Sequence, residues 1–332
     1  MQWGGILVKS AYIDKKDKIS FLSKESLVNL FQNYSFLILL VLFCIILSVL
    51  SPAFLTVDNF TNILRQISIN FILATGMTLV IITAGIDLSV GSILAFSGVV
   101  AATFLNSTGN VFISIIIALL IGLMCGLVNG FFVAKTKLNP FIVTLGMMSI
   151  ARGLALVVTE GNTITISEPA YVFFGSGFIL GVPMPVVIAI IVLICAYVFL
   201  NKTRIGRYLY AIGGSQETSR LSGIKVDKIL LFVYGISGVL SGLAAIVLTS
   251  RLWSAPPIAG EGYELQAIAA AVIGGASLMG GKGGIGGTLY GALLIGIISN
   301  GLNLLGVSSF FQQVVIGSII ILAVLFDKFR NQ

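Results

Sequence analysis

Long apolar runs separated by short polar breaks make up almost the whole chain. From residue 34 onward, hydrocarbon side chains persist for about 18–22 residues at a time, the length a helix needs to cross a bilayer. They lack the alternation over about ten residues that marks a barrel strand. The pattern predicts spans at 34–50, 67–84, 88–105, 111–133, 141–158, 184–200, 229–250, 264–279, 287–305 and 310–326. The expected fold is therefore all-α and polytopic, with ten transmembrane helices. Ser51-Pro52 closes the first span, which reads as a signal anchor. Residues 1–33 read as a retained cytoplasmic tail, because they have neither a short apolar core nor a small-residue cleavage site.

The polar breaks set the orientation. The longest, 201–228 (NKTRIGRYLYAIGGSQETSRLSGIKVDK), carries Lys202, Arg204, Arg207, Arg220, Lys225 and Lys228. Cytoplasmic loops are rich in Lys and Arg, so this stretch belongs inside. With an inside amino terminus, segments 1–33, 85–87, 134–140, 201–228, 280–286 and 327–332 hold sixteen of the chain's 19 basic residues. Moving the parity by one span would put most of them outside. Ten spans divide into two halves of five, and an odd number per half gives the halves opposite orientations, as in inverted-repeat transporters. No sequence match between the halves supports this, so it rests on topology alone.

Composition removes several function classes. Of the 332 residues, 57% are hydrophobic and 9% charged, with a mean hydropathy of +1.09, too greasy for a soluble domain of this size. Positive-inside loops account for the net charge of +7 without a nucleic-acid partner. There is no histidine, and Cys44, Cys125 and Cys195 each sit alone in an apolar run. That excludes a disulfide framework and leaves no metal cluster or histidine base. A membrane-embedded enzyme would need a nucleophile–base pair or metal cluster, and neither is present.

Several motifs carry possible chemistry. GGKGGIGG at 280–287 resembles a phosphate loop but fails the pattern, since Ala276 replaces the first glycine and Gly283 follows Lys282. A flexible cytoplasmic turn is expected, and the chain should not bind ATP itself. Gly122, Gly126 and Gly130, then Gly238 and Gly242, then Gly283, Gly287 and Gly291 recur every four residues. Such ridges let helices approach closely, either within one subunit or at a sliding or dimer seam. Asp87 lies in GIDLSVG, where a carboxylate at the bilayer centre would cost about 2.5–3.5 kcal/mol. Its position near the inner interface, just before a helix, suits N-capping; a proton or cation site is the rival reading. Arg152 falls within a span and needs a partner, for which Glu160 and Asp87 are the expected acids. The outward loops at 159–183 and 251–263 carry Glu160, Glu168, Arg251 and Glu261 with Pro256-Pro257, a rim suited to a soluble partner or simply a solvated surface.

Four stretches carry a resemblance: GMTLV at 76–80 leading to GIDLSVGS at 85–92, TRIGRY at 203–208 through SGI at 222–224, GYELQAIAA at 262–270, and NGLNLLGVSS at 300–309. Together they make the chain similar to the sugar-type permease subunits of ATP-binding-cassette importers, most closely those for ribose. Relatives for xylose, galactose and the autoinducer-2 furanose share these motifs. The resemblance covers nearly everything after the tail, and makes 34–332 a transmembrane permease domain in the cytoplasmic (inner) membrane. It implies a homodimer, an ATPase subunit on the inner face that holds the ATP, and a soluble or lipid-anchored sugar-binding protein outside. It implies no cofactor and no catalysis by this chain. It also implies that Gly213, Gly214, Glu217, Leu221, Ser222 and Gly223 seat in a cleft of the ATPase. GGSQETSRLSG reads as a short helix with glycine at both ends, able to turn partner closure into movement of the flanking spans. A neutral sugar would meet hydroxyls and amides, so Asn129, Asn139, Thr144, Asn300 and Asn303, with Asp87, are the pathway candidates; each also suits a cap or an interhelical bond. An ion-coupled transporter working alone is the competing class, and would want an intramembrane carboxylate or histidine relay.

Overall fold

The computed structural model describes residues 40–330. The tail expected over 1–33 and the beginning of the first span lie outside the described residues. The chain divides at Ile46/Leu47 into two units. Of the amino-terminal one, only the first residues of helix α1 (Leu40–Leu50) are described.

The main unit is helical. Seven helices are long and apolar enough to cross a membrane: α2 (Val57–Ile82), α3 (Val90–Thr108), α4 (Val111–Lys135), α5 (Pro140–Thr159), α7 (Met184–Lys202), α10 (Val226–Leu252) and α12 (Ile285–Leu304). Three further expected spans meet shorter apolar helices, namely Leu40–Leu50, α11 (Tyr263–Ile273) and the Ser309–Leu322 part of α13 (Ser309–Arg330). The chain is thus an all-α multi-pass membrane protein with seven long spans among its described residues. Between the spans lie α6 (Pro169–Ser176), α8 (Arg204–Gly214) and α9 (Gln216–Leu221).

Local sequence sets the helix ends. Thr56 accepts a hydrogen bond from the Asn59 N–H and starts α2 about ten residues before the apolar run begins. Asn110 and Asn139 cap α4 and α5 in the same way, with Pro140 at the first turn of α5. At the other extreme, α11 stops at Ile273, short of the expected 279, because Gly274 and Gly275 follow it and Gly275 adopts a φ of +91°. Eleven residues make a helix of about 16 Å, half a bilayer core.

Burial sorts the helices into an inner and an outer layer. The most apolar window of α2 is 89% buried within the protein, against 22% for α4 and for α5. α2 therefore forms the centre, packed by α10, α11, α12 and α7, and the outer helices leave apolar side chains for lipid. The glycine ridges explain the tightest seam. Gly122, Gly126 and Gly130 of α4 lie directly on the α10 backbone at Gly238, Tyr234–Gly235 and Leu231, where a methyl group would collide with carbonyl oxygens. Gly287 and Gly291 press likewise on Gly274 and Ala270. These ridges serve packing within one chain.

The loops expected to face outward carry two small antiparallel ladders. β1 (Ile164–Thr165) pairs with β4 (Ser254–Ala255), and β2 (Phe178–Ile179) with β3 (Val182–Pro183).

Candidate functional site

The polar stretch after α7 folds into two short helices. Thr203 caps α8 by accepting from the Gly206 N–H, and Ser215 caps α9 by accepting from the Thr218 N–H. α8 is amphipathic: Leu209, Ile212 and Gly213 are buried while Arg204, Arg207 and Tyr208 face outward. Glu217, Ser222 and Gly223 are exposed, and Leu221 is 81% exposed. Gly223 has φ +83° with open space around it, so it ends α9 in a left-handed turn. Arg220 then donates to Asp227 Oδ1 at 2.8 Å, and Lys135 lies 3.7 Å from its other oxygen. These pairs tie α9 to the starts of α10 and the end of α4.

Five of the six coupling residues implied by the resemblance thus lie on one exposed surface. Gly213 is the exception. It is buried, with its backbone against the Ile82 carbonyl at the end of α2 and against Gly281. The 280–284 loop, expected as a loose turn, is fastened on both sides. The Gly281 N–H donates to Ile82 O at 2.9 Å, and the Tyr210 hydroxyl donates to Gly283 O at 2.9 Å. Burial pushes the Tyr210 phenol above its usual range, so it remains a donor at physiological pH.

Beyond Ile82 the chain makes the GIDLSVG turn. Asp87 is fully buried within the protein. Its Oδ1 accepts from the Ser89 N–H at 3.1 Å and the Ser89 hydroxyl at 2.5 Å, and its Oδ2 accepts from Ser237 of α10 at 2.8 Å. Asn129 of α4 donates to Ser89 Oγ at 2.8 Å. Asp87 thus bonds to Ser89, the residue that stands at the N-cap of α3, and its carboxylate joins the turn to α10, while the Ser89 hydroxyl carries the network on to α4. Asp87 forms no ion pair among the described residues. Two buried atoms nearby, Tyr234 OH and Asn129 Oδ1, have no partner.

The remaining pathway candidates are engaged structurally. Thr144 donates to Pro140 O at 2.9 Å and sits 3.3 Å from Ile86 O beside the Asp87 turn. Asn139 caps α5. Asn300 and Asn59 exchange hydrogen bonds of 2.8 and 3.2 Å between α12 and α2. Asn303 accepts from Gln312 at 2.8 Å.

Arg152 does not pair with Glu160 or Asp87. Its Nη1 donates to the carbonyls of Pro257 and Ala259 at 2.7 and 3.0 Å, fixing the segment that leads into α11. Fixed there, Gly260 meets the start of α3 at Gly91, where a methyl group would strike Gly260 O and the Glu264 carboxylate. The sequence missed this crossing, although GIDLSVGS and GYELQAIAA are both acid-bearing helix starts.

In the loops expected to face outward, Glu160 occupies the left-handed end of α5 and Glu168 precedes α6. Glu160 and Glu261 are exposed, and Glu168 and Arg251 are half-buried. The rim is braced: Asn106 donates to Thr165 O, Ser250 to Tyr171 O and Arg65 to Ser176 O, each at 2.8 Å.

The comparisons with known proteins agree with this architecture. Residues 59–324 match the family described as branched-chain amino acid transport system / permease component. The ribose import permease protein of Escherichia coli K12 is 51% identical over 90% of this chain and 94% of its own length. That of Bacillus subtilis 168 is 52% identical over 86% and 90%. The D-allose transport system permease protein of E. coli K12 is 42% identical over 90% and 92%. No solved structure matches. The chain belongs to the branched-chain amino acid transport system / permease component family, whose members are membrane-spanning, non-catalytic subunits of bacterial ATP-binding-cassette importers.

Proposed function

We propose that this permease passes a monosaccharide, D-ribose, through the cytoplasmic membrane as one half of a homodimer. An ATPase subunit drives it from the inside, and a sugar-binding protein delivers cargo from the outside. The observation that carries the sugar class is graded similarity: 51–52% identity to two ribose permeases, 42% to a D-allose permease and 38% to the L-arabinose permease of E. coli K12. Other sugars, including the autoinducer-2 furanose, are the alternatives within the class.

The reading includes ten spans in two inverted halves. Two features support it. α2 runs into the Asp87 turn before α3, and α10 runs into the Arg152-held segment before the half-length α11. The starts of α3 and α11, the third and eighth of the ten spans, then meet at Gly91 and Gly260, as corresponding helices of two halves would at an internal two-fold. α8 and α9 are the seat of the ATPase. Closure of the ATPase there would favour one state of the spans over the other, the differential binding that alternating access needs.

Labelled uptake into vesicles holding the permease, its ATPase and its binding protein tests the assignment. Ribose should be accumulated, with allose and arabinose competing weakly. Equal uptake of a different sugar, with ribose ignored, would overturn the substrate. Glu217→Ala and Gly223→Leu should each preserve ATP hydrolysis while uptake falls about tenfold; unchanged uptake in both would remove α9 from the coupling surface.

A further inference from the structure

Met279 is exposed on a loop that is fastened both to α8 and to the end of α2. Large apolar side chains exposed on a polar cytoplasmic face mark a docking surface. Met279 is 82% exposed, close to Leu221 at 81%. Its loop is continuous with the coupling helices: Gly281 abuts the backbone of Gly213 and Gly214, Gly280 packs on Gly213 O and the Ala84 methyl, and Tyr210 of α8 bonds to Gly283 O. The loop is equally continuous with the central helix, because the Gly281 N–H bonds to Ile82 O. α8, the loop and the end of α2 are thus joined by direct hydrogen bonds and backbone contacts.

We infer that the 279–283 loop and helices α8–α9 form one bipartite surface for the ATPase subunit, with Met279 and Leu221 as its two apolar knobs. Met is suited to such a contact, since its unbranched thioether repacks as a partner cleft changes shape. The glycines have a physical purpose here. Gly280 and Gly281 hold φ of +85° and +72°, and only residues without side chains allow backbone from α2, α8 and the loop to touch. Movement received at either knob reaches Ile82, and five residues later Asp87, whose hydrogen bonds to Ser89 and Ser237 lead into α3 and α10. This inference rests on the coupling role of α9 and adds a site to it.

Photo-crosslinking residues placed singly at 279, 221 and 180 in the complete importer distinguish the two ideas. Leu180, fully exposed in the outer β2–β3 hairpin, is the control. Positions 279 and 221 should both link to the ATPase, with yields that change at least twofold together on ATP binding, and position 180 should not. Linkage at 221 alone, or linkage of 279 only to lipid or to a second permease, would overturn the bipartite surface and leave α9 intact. Silence at both inner positions would remove the coupling assignment and this inference with it. Met279→Asp in the complete importer should lower uptake at least tenfold while the complex keeps its melting temperature; undiminished uptake would contradict the second contact.

Discussion

At the scale of single residues, the fate of Asp87 shows what burial does to a carboxylate in an apolar protein. With no ion pair among the described residues, its two oxygens are satisfied instead by one backbone N–H and two hydroxyls, so each buried acceptor has a partner. Removing a buried acceptor strands its donors, at about 1–3 kcal/mol. Asp87→Ala should therefore lower the melting temperature of the purified permease clearly. Asp87→Asn, which keeps one carbonyl oxygen but turns a donor toward Ser237 or Ser89, should fall between. An unchanged melting temperature in Asp87→Ala would mean the turn is held by something else. The sequence made Asp87 conspicuous and suggested N-capping, a position that Ser89 occupies in the structure. It could not reveal Ser237, which lies 150 residues away on α10. Arg152 was likewise legible as a buried cation in need of acceptors, but the acceptors are main-chain carbonyls, which leave no trace in side-chain chemistry.

Among the elements, the seam between α4 and α10 and the latch on α8 depend on missing side chains. The four-residue glycine spacing was readable along each helix, and close packing followed from it; which helices met did not, since any small face fits another. At Gly126 even a methyl group would strike the Tyr234 carbonyl. Overpacking costs about 1–3 kcal/mol, so Gly126→Ala should destabilise the permease measurably, whereas Gly146→Ala, with nothing within 4 Å, should not. Equal melting temperatures for the two variants would contradict the seam. Asp227 poses a different case. Its pairs with Arg220 and Lys135 are partly exposed and contribute little to stability, yet they link α9 to α10 and α4. Asp227→Ala should leave the melting temperature within about a degree and reduce the uptake obtained per ATP hydrolysed. A fall in stability with coupling preserved would reverse that assignment.

For the whole molecule, charge bias and apolar length conveyed the class of architecture. The centre of the bundle was less legible, because α2 and α4 are both apolar and only the folded contacts show which is inside. The end of α11 was also less legible, since the apolar run continues through Gly274 and Gly275 where the helix does not. What emerges is a central α2 whose Ile82 end is held by α8 and the glycine loop. Its turn is bonded to the surrounding spans. Under the proposed function, that end is where work is received and the turn is the route that distributes it. The decisive measurement is sugar accumulation in sealed vesicles, with and without the ATPase, while proton and sodium gradients are imposed or dissipated. The account predicts accumulation only with the ATPase, the binding protein and ATP, unaffected by dissipating either gradient. Accumulation by this chain alone, following a proton or sodium gradient, would contradict it.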